Sequence, residues 1–309
     1  MTNFIITLLF TFYSLTLCSS DFGYIGYSTE NLGDDIQAIA AKRFLPENSI
    51  PIERDFIGTF ENSSQIPVIV NGWFMLRNNF YSTKEKHNFN WPPSINIDPL
   101  LISLHFTPNF IKTLLSKRNK QYLIDHGPVG ARDYYTLQIL QKYNIPSYFS
   151  GCITLTLQND ELERDDIVYA VDIDKDCLTY LKKKTSYPVE ELTHTLPENL
   201  RLDTEGRLKL TETLLTKYKK AKFVVTSRLH VALPCLAFQT PVLLIDKTPD
   251  DSRFFGLKEL TRHCDSKTFL KGKSNFDLNN PNENSDLYLP IRENLIKAVN
   301  DWIQEKSTS

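Results

Sequence analysis

The sequence is short of the residues that would mark a flexible or stapled chain. Eleven glycines and two methionines in 309 residues leave little room for a glycine-rich linker, and neither an internal repeat nor a heptad run is visible. The five cysteines, Cys18, Cys152, Cys177, Cys235 and Cys264, stand far apart with no C-x-x-C pair. That spacing excludes a zinc knuckle and favours buried thiols over disulfides. Charge of one sign is not in excess. Lys+Arg number 35 and Asp+Glu 37, a net charge of −2, so nothing global points to nucleic acid or an anionic membrane surface. No H-E-x-x-H, G-x-S-x-G or G-x-x-x-x-G-K-[ST] occurs, which removes zinc-protease, serine-hydrolase and P-loop readings. No metal-ligand spacing is evident either.

What is present is ordinary for a folded α/β chain: 41% apolar and 23% charged residues, with 19 Phe and 14 Tyr to fill a core. The length suits two domains. Residues 1–20 stand apart because they carry no charged side chain. Phe4 to Cys18 would form a helix of only about 22 Å, short of a bilayer core. Ser19 and Ser20 follow it, so the segment reads as a signal peptide or short signal anchor, and Asp21 or a neighbour is expected to begin the mature chain. An Asn62-Ser63-Ser64 triplet is compatible with a luminal or secreted chain, but such triplets also arise by chance. If the leader is real, the location is the secretory pathway and any membrane contact is through that segment; otherwise the protein is cytoplasmic.

From Phe22 onward strands and helices alternate. Strands are expected at Phe22–Ser28, Pro67–Val70, Leu100–Phe106, Tyr122–Asp125, Ile167–Asp172, Lys222–Thr226 and Pro241–Asp246. Helices are expected after Asn31, over 109–118, 132–143, Asp176–Lys184, Gly206–Lys220 and Arg228–Phe238, and from Pro290 to the end. Pro46 is expected to end the first helix, Pro234 to lie near the first turn of its own, and Asn275–Asn284 to form a surface loop. Alternating βα units imply parallel sheets with helices on both faces. Two successive sets imply two doubly wound, Rossmann-like domains, 21–150 and 151–309, with ligands beyond the carboxyl ends of strands and in the cleft between the domains.

Four polar clusters fall at strand-to-helix junctions: Asn31-Leu-Gly-Asp-Asp35, Asn71-Gly72, Gly130-Ala-Arg132-Asp133 and Ser227-Arg228-Leu-His230. Two of them put an arginine at a helix N-terminus, where free N–H groups and the dipole already favour an anion. A guanidinium fork adds two-point recognition of carboxylate or phosphate. Arg228 and His230 side by side repel one another unless an anion joins them. Asp34, Asp35 and Asp133 can equally be helix-start charges, and His105, His126 and His194, also near expected strand ends, can be structural.

The order and spacing of these stretches resemble the polysaccharide pyruvyl transferase family. The resemblance is carried by NLGDDIQAIAAKRFLP (31–46), VNGWF (70–74), GPVGARDYYTLQILQKYNIP (127–146), LLTKYKKAKFVVTSRLHVALPCLAFQTPVLLID (214–246) and DDSRFFGLKEL (250–260). It implies a GT-B-type, sialyltransferase-like arrangement of the two domains. It also implies transfer of a pyruvyl group from phosphoenolpyruvate onto two sugar hydroxyls of a glycan, as a cyclic ketal, with no cofactor or metal. On that reading His230 is the acid and Arg228 a clamp for phosphate or carboxylate, with Arg132 the second clamp from the other domain. Gly33, Asp34, Asn71, Gly72, His126, Asp133, His194, Ser227 and Arg253 are assigned to substrate. Two alternatives stay open: a glycosyltransferase of the same plan that uses a nucleotide sugar, and a glycan-binding relative without turnover.

Overall fold

A computed structural model describes residues 21–75, 91–160, 163–197, 199–248 and 251–308. The expected leader at 1–20 lies outside the described residues.

The first half is a six-stranded parallel sheet. Its strands are β1 (Gly23–Gly26), β2 (Ile50–Glu53), β3 (Ile66–Phe74), β4 (Ile97–Phe106), β5 (Val129–Ala131) and β6 (Ser147–Phe149), in spatial order β2-β1-β3-β4-β5-β6. Helices α1 (Leu32–Lys42), α2 (Ile111–Leu114), α3 (Lys117–Asp125) and α4 (Tyr134–Lys142) connect them. The second half is a five-stranded parallel sheet. In chain order it runs β7 (Val168–Val171), α5 (Lys175–Lys184), β8 (Val189–Leu192), α6 (Thr204–Lys220), β9 (Phe223–Thr226), α7 (Leu229–Ala237), β10 (Val242–Ile245), β11 (Arg262–Cys264) and α8 (Ser266–Leu270). Its spatial order is β11-β10-β9-β7-β8. Counted within each half, the first five strands follow the same 2-1-3-4-5 order, with the direction of winding reversing beside the first strand. Each half therefore has a switch point, between β1 and β3 and between β7 and β9, where loops diverge and leave a crevice.

Central strands such as β7 and β9 are buried at every position, which is why they read as continuous apolar runs. α1 starts where Asn31 accepts the Gly33 N–H at 3.1 Å, with Asp34 and Asp35 in the first turn. It packs on β1 and β3 on one side and on α6 and α7 on the other, so one helical layer serves both sheets. The outer face of the second sheet carries a separate core of Val168, Phe223, Val225 and Ile245 under Phe269 and Phe276. A final helix, α9 (Leu289–Thr308), turns back to the first half, where Trp302 meets Phe22 edge-to-face at 6.1 Å and Lys306 pairs with Asp98 at 2.8 Å. Cys152, Cys177, Cys235 and Cys264 are free thiols.

Several expectations need correction. Tyr122–Asp125 is the end of α3, not a strand: Asn119 and Leu123 are its buried pair, four residues apart, and the strand is the next segment, β5. The expected 109–118 helix is broken at Ser116, whose extended ψ of 150° separates α2 from α3. The first helix ends at Lys42, ahead of Pro46. Pro234 lies inside α7, where it withholds the N–H that would otherwise bond the His230 carbonyl.

The two halves are also joined by charge. Arg207 of α6 donates from Nε and Nη2 to Asp35 of α1 at 3.0 and 2.6 Å, and both are buried. Burial pushes the Asp35 carboxyl up to about 6 against the pull of Arg207. Since that is above the unfolded value, Asp35 favours folding most at acidic pH and loses that contribution as pH rises through about 6. Arg207→Met is therefore expected to cost about 3–5 kcal/mol at neutral pH, because a buried carboxylate is left alone. The loss should shrink at pH 5, where Asp35 is protonated. Urea denaturation at the two pH values checks this; an equal loss at both would refute it.

Candidate functional site

The switch points of the two sheets open onto one cleft, a cavity of about 310 Å³. From the first half come Gly33 and Asp34 at the start of α1, Trp73 at the end of β3 and Arg132 after β5. From the second half come Asp172 after β7, His194 after β8, Ser227, Arg228 and His230 around the start of α7, and Lys247 and Arg253 after β10. A short backbone ladder beside the cleft fixes its width: Leu32 N–H donates to the His194 carbonyl at 2.9 Å, Leu196 N–H to the Glu30 carbonyl at 2.8 Å, and Asn31 bridges Thr195.

Most helix starts in this protein are closed by a side chain. Asn31 caps α1, Asp133 caps α4, Asp174 caps α5 and Asp203 caps α6. α7 differs. Its N-cap is Arg228, which makes no capping hydrogen bond. The Val231 and Ala232 N–H groups bond the Arg228 carbonyl, so this helix start has the Leu229 and His230 N–H groups to offer beside a cleft lined by arginines, an arrangement that suits an anion.

The arginines are held from behind. Arg228 Nε donates to Asp172 Oδ2 at 2.9 Å and its Nη2 to Thr195 Oγ1 at 2.9 Å. Arg253 is held by both oxygens of Asp251 at 2.9 Å and lies 5.6 Å over the Trp73 ring. Arg132 is almost fully buried, and its Nε stands 3.5 Å from Asp133 Oδ2 without a hydrogen-bond partner. Asp133 gives its other oxygen to the Thr136 N–H at 2.9 Å and takes His105 Nδ1 at 2.6 Å. Burial would raise Asp133, but the His105 contact and Arg132 hold it below the usual range. Burial depresses His105.

His230 has its Nε2 shielded from solvent and unpartnered. Burial, then Arg132, His194, Arg253 and Arg228, push its imidazole well below the ordinary value, so it is neutral in the unliganded protein. His194 is also buried, with Nε2 2.6 Å from the Tyr218 hydroxyl, and is lowered to about 4, chiefly by burial. Asp172 behaves the other way. Burial alone would raise it, yet the His194 N–H and Arg228 keep it low.

The structure thus brings together Gly33, Asp34, Arg132, His194, Ser227, Arg228, His230 and Arg253. Asn71 and Gly72 lie behind the wall: Asn71 is fully buried, its carbonyl accepts the Tyr27 hydroxyl at 3.3 Å, and Gly72 adopts φ +108° against that hydroxyl. Asp133 reaches the cleft only through Arg132. His126 is elsewhere. It stacks on Tyr122 at 4.1 Å and borders a separate groove with Pro92, Ile95 and Lys117, because α3 carries it to the opposite ends of β3 and β4. Trp73, Asp172, Thr195 and Lys247 were not singled out from sequence. The expected strand end at Asp172 could have flagged that residue alone.

Gly33 has a structural reason. A Cβ there would stand 3.2 Å from His230 Cβ and 3.3 Å from Nδ1. Gly33→Ala is expected to shift His230 by a few tenths of an ångström and lower turnover by about 3- to 10-fold, with little change in melting temperature because Ala favours the helix. Steady-state rates and thermal melts together test this; wild-type turnover would dispose of it.

Two parallel, doubly wound halves with an arginine-lined cleft between them define a protein of two Rossmann-like units. The chain belongs to the polysaccharide pyruvyl transferase family, whose pattern it matches over residues 31–247. No curated protein matches the sequence. Among solved structures, an uncharacterised protein of Klebsiella pneumoniae is similar at 14% identity, covering 80% of this chain and 94% of that one, with a TM-score of 0.48. A UDP-GlcNAc 2-epimerase from Methanocaldococcus jannaschii is similar at 10% identity, covering 94% and 100%, with a TM-score of 0.46. Among the described residues no helix is long and apolar enough to cross a membrane, and no cluster of His, Cys, Asp and Glu is arranged to hold a metal ion.

Proposed function

We propose that this protein transfers the pyruvyl group of phosphoenolpyruvate to two hydroxyls of a glycan acceptor. The observation that carries the reading is the uncapped start of α7, with Arg228 and His230 facing Arg132 across the cleft. Phosphoenolpyruvate presents a carboxylate and a phosphate on three carbons, and groups from both halves converge on a space of that scale. About 310 Å³ is at the small end for ligand sites and suits a three-carbon dianion better than a nucleotide sugar.

The balanced reaction protonates C3, adds one acceptor hydroxyl at C2, expels phosphate and adds the second hydroxyl. Of the two hydroxyl protons, one replaces the proton given to C3 and the other leaves on the phosphate as hydrogen phosphate, so no net proton is gained or lost. Arg132, Arg228 and the α7 N–H groups hold the anionic oxygens while charge moves toward the departing phosphate. His230 acts as the acid at C3 once the bound anion offsets the cations that keep it neutral. Asp34 and Gly33 border the side from which the acceptor enters.

The test is incubation of the purified protein with phosphoenolpyruvate and a panel of glycans, read by mass spectrometry and phosphate release. A ketal adduct with one phosphate released per pyruvyl group transferred supports the reading. Transfer from a nucleotide sugar instead would replace it.

A further inference from the structure

Arg228 has a support that the family likeness does not mention. Asp172 follows the central strand β7 in a left-handed conformation, φ +52°, which Asp and Asn tolerate better than most residues. Its carbonyl accepts the Ser227 hydroxyl and Lys247 Nζ, both at 2.6 Å. Its Oδ2 accepts the His194 N–H at 3.0 Å and Arg228 Nε at 2.9 Å. On the other side of the guanidinium, Thr195 Oγ1 accepts Nη2 at 2.9 Å. The backbone of Thr195 pairs with Asn31, the residue that caps α1 next to Gly33 and Asp34. The plane of the guanidinium is thus set by two neighbours on different loops, and Nη1 is left for the cleft.

We infer that Asp172 and Thr195 are positioning residues, which fix the plane of Arg228 so that its free edge meets the anion of the donor. The inference rests on Arg228 being an anion clamp, as in the function proposed above. Thr195 does this with no charge of its own. Asp172 does it at an electrostatic cost, since its carboxylate repels the anion that Arg228 attracts. A role in the local potential and a role in orientation therefore predict opposite results. Removing the carboxylate would tighten anion binding if only potential mattered. It would slow transfer if orientation mattered.

The variants are Thr195→Val, Thr195→Ser and Asp172→Asn in the full chain. Thr195 is exposed, and valine keeps its backbone bridge and shape. Thr195→Val is expected to lower kcat about 5- to 10-fold with phosphoenolpyruvate affinity within about threefold, and Thr195→Ser to restore the rate, as for loss of one hydrogen bond to a charged group. Asp172→Asn is expected to lower kcat about 10- to 100-fold without weakening donor binding. A second readout needs no substrate. The Arg228 Nε–H signal in the nitrogen–proton NMR spectrum should be shifted and slow to exchange, unlike that of exposed Arg118, and should lose that protection in Asp172→Asn. Unchanged kcat in Thr195→Val and Asp172→Asn, or equal losses in Thr195→Val and Thr195→Ser, overturns the inference. So does an Arg228 signal like that of Arg118. If the wild type makes no ketal but binds a nucleotide sugar, the donor assignment falls and the same variants are judged on that transfer. If it binds neither, Arg228 clamps no donor and the inference falls with it.

Discussion

Arg228→Lys is expected to lose about 30- to 1000-fold in transfer while the protein melts within a few degrees of wild type. Lysine keeps the positive charge. It cannot, however, give one donor to Asp172, another to Thr195 and still present one to the cleft, as the guanidinium does through Nε, Nη2 and Nη1. The missing contact is to an oxygen whose charge grows in the transition state, and such contacts contribute about 2–4 kcal/mol. The fold should hardly notice, because Arg228 sits at the cleft wall and its pair with Asp172 is partly solvated, the side chain being 35% exposed. Initial rates and a thermal melt measure both quantities. Wild-type turnover in the lysine variant would remove Arg228 from the chemistry.

The second large effect belongs to His230. The unliganded site keeps it neutral by burial and by the facing Arg132, His194, Arg253 and Arg228. A bound dianion reverses the balance, so donor binding near pH 7 should draw a proton from solution. Calorimetry in buffers of different ionisation enthalpy reads that proton directly. His230→Gln should abolish the uptake and lower kcat by about 10²–10⁴-fold. Donor affinity should stay within about tenfold, since one lost contact to a polar group costs about 1 kcal/mol. The same depression has a sign for stability. His230 protonates more readily unfolded than folded, so its contribution falls as pH drops below about 6.5, the unfolded value. Loss of donor binding in His230→Gln would make the residue a clamp and not an acid.

Much of the fold could be read from the sequence where a segment has its own signature. Lys222–Thr226 and Pro241–Asp246 are apolar runs because β9 and β10 are buried on both faces. Asn31 was legible as a cap because its side chain serves its own helix. The unread strands, β2, β5, β6, β8 and β11, are short and lie at or next to sheet edges. β8 is Val-Glu-Glu-Leu with no residue buried, so only its neighbour β7 makes it a strand. Tyr122-Leu-Ile-Asp misled because three adjacent apolar residues fit a strand, whereas here Leu123 alone is fully buried and Tyr122 and Ile124 pack beside it at the core's edge. That error carried His126 into the expected site. Arg132, Arg228 and His230 were legible through their place at helix starts. Thr195 was not, and Asp172 only as the end of an expected strand, since a hydrogen bond between loops after β7, β8 and β9 leaves no trace in spacing.

Helix α9 has a consequence for how the chain reaches this state. Leu295 and Val299 join the shared core, Trp302 covers Phe22, and Arg292 reaches back to the Ala237 carbonyl at 3.4 Å. During synthesis, residues 289–308 leave the ribosome after everything they cover. The first sheet must therefore wait, with Phe22 and its surroundings uncovered, until the second has been made. An isolated fragment ending near residue 150 should emerge as an aggregation-prone intermediate, and adding a peptide of residues 285–308 in trans should raise its solubility.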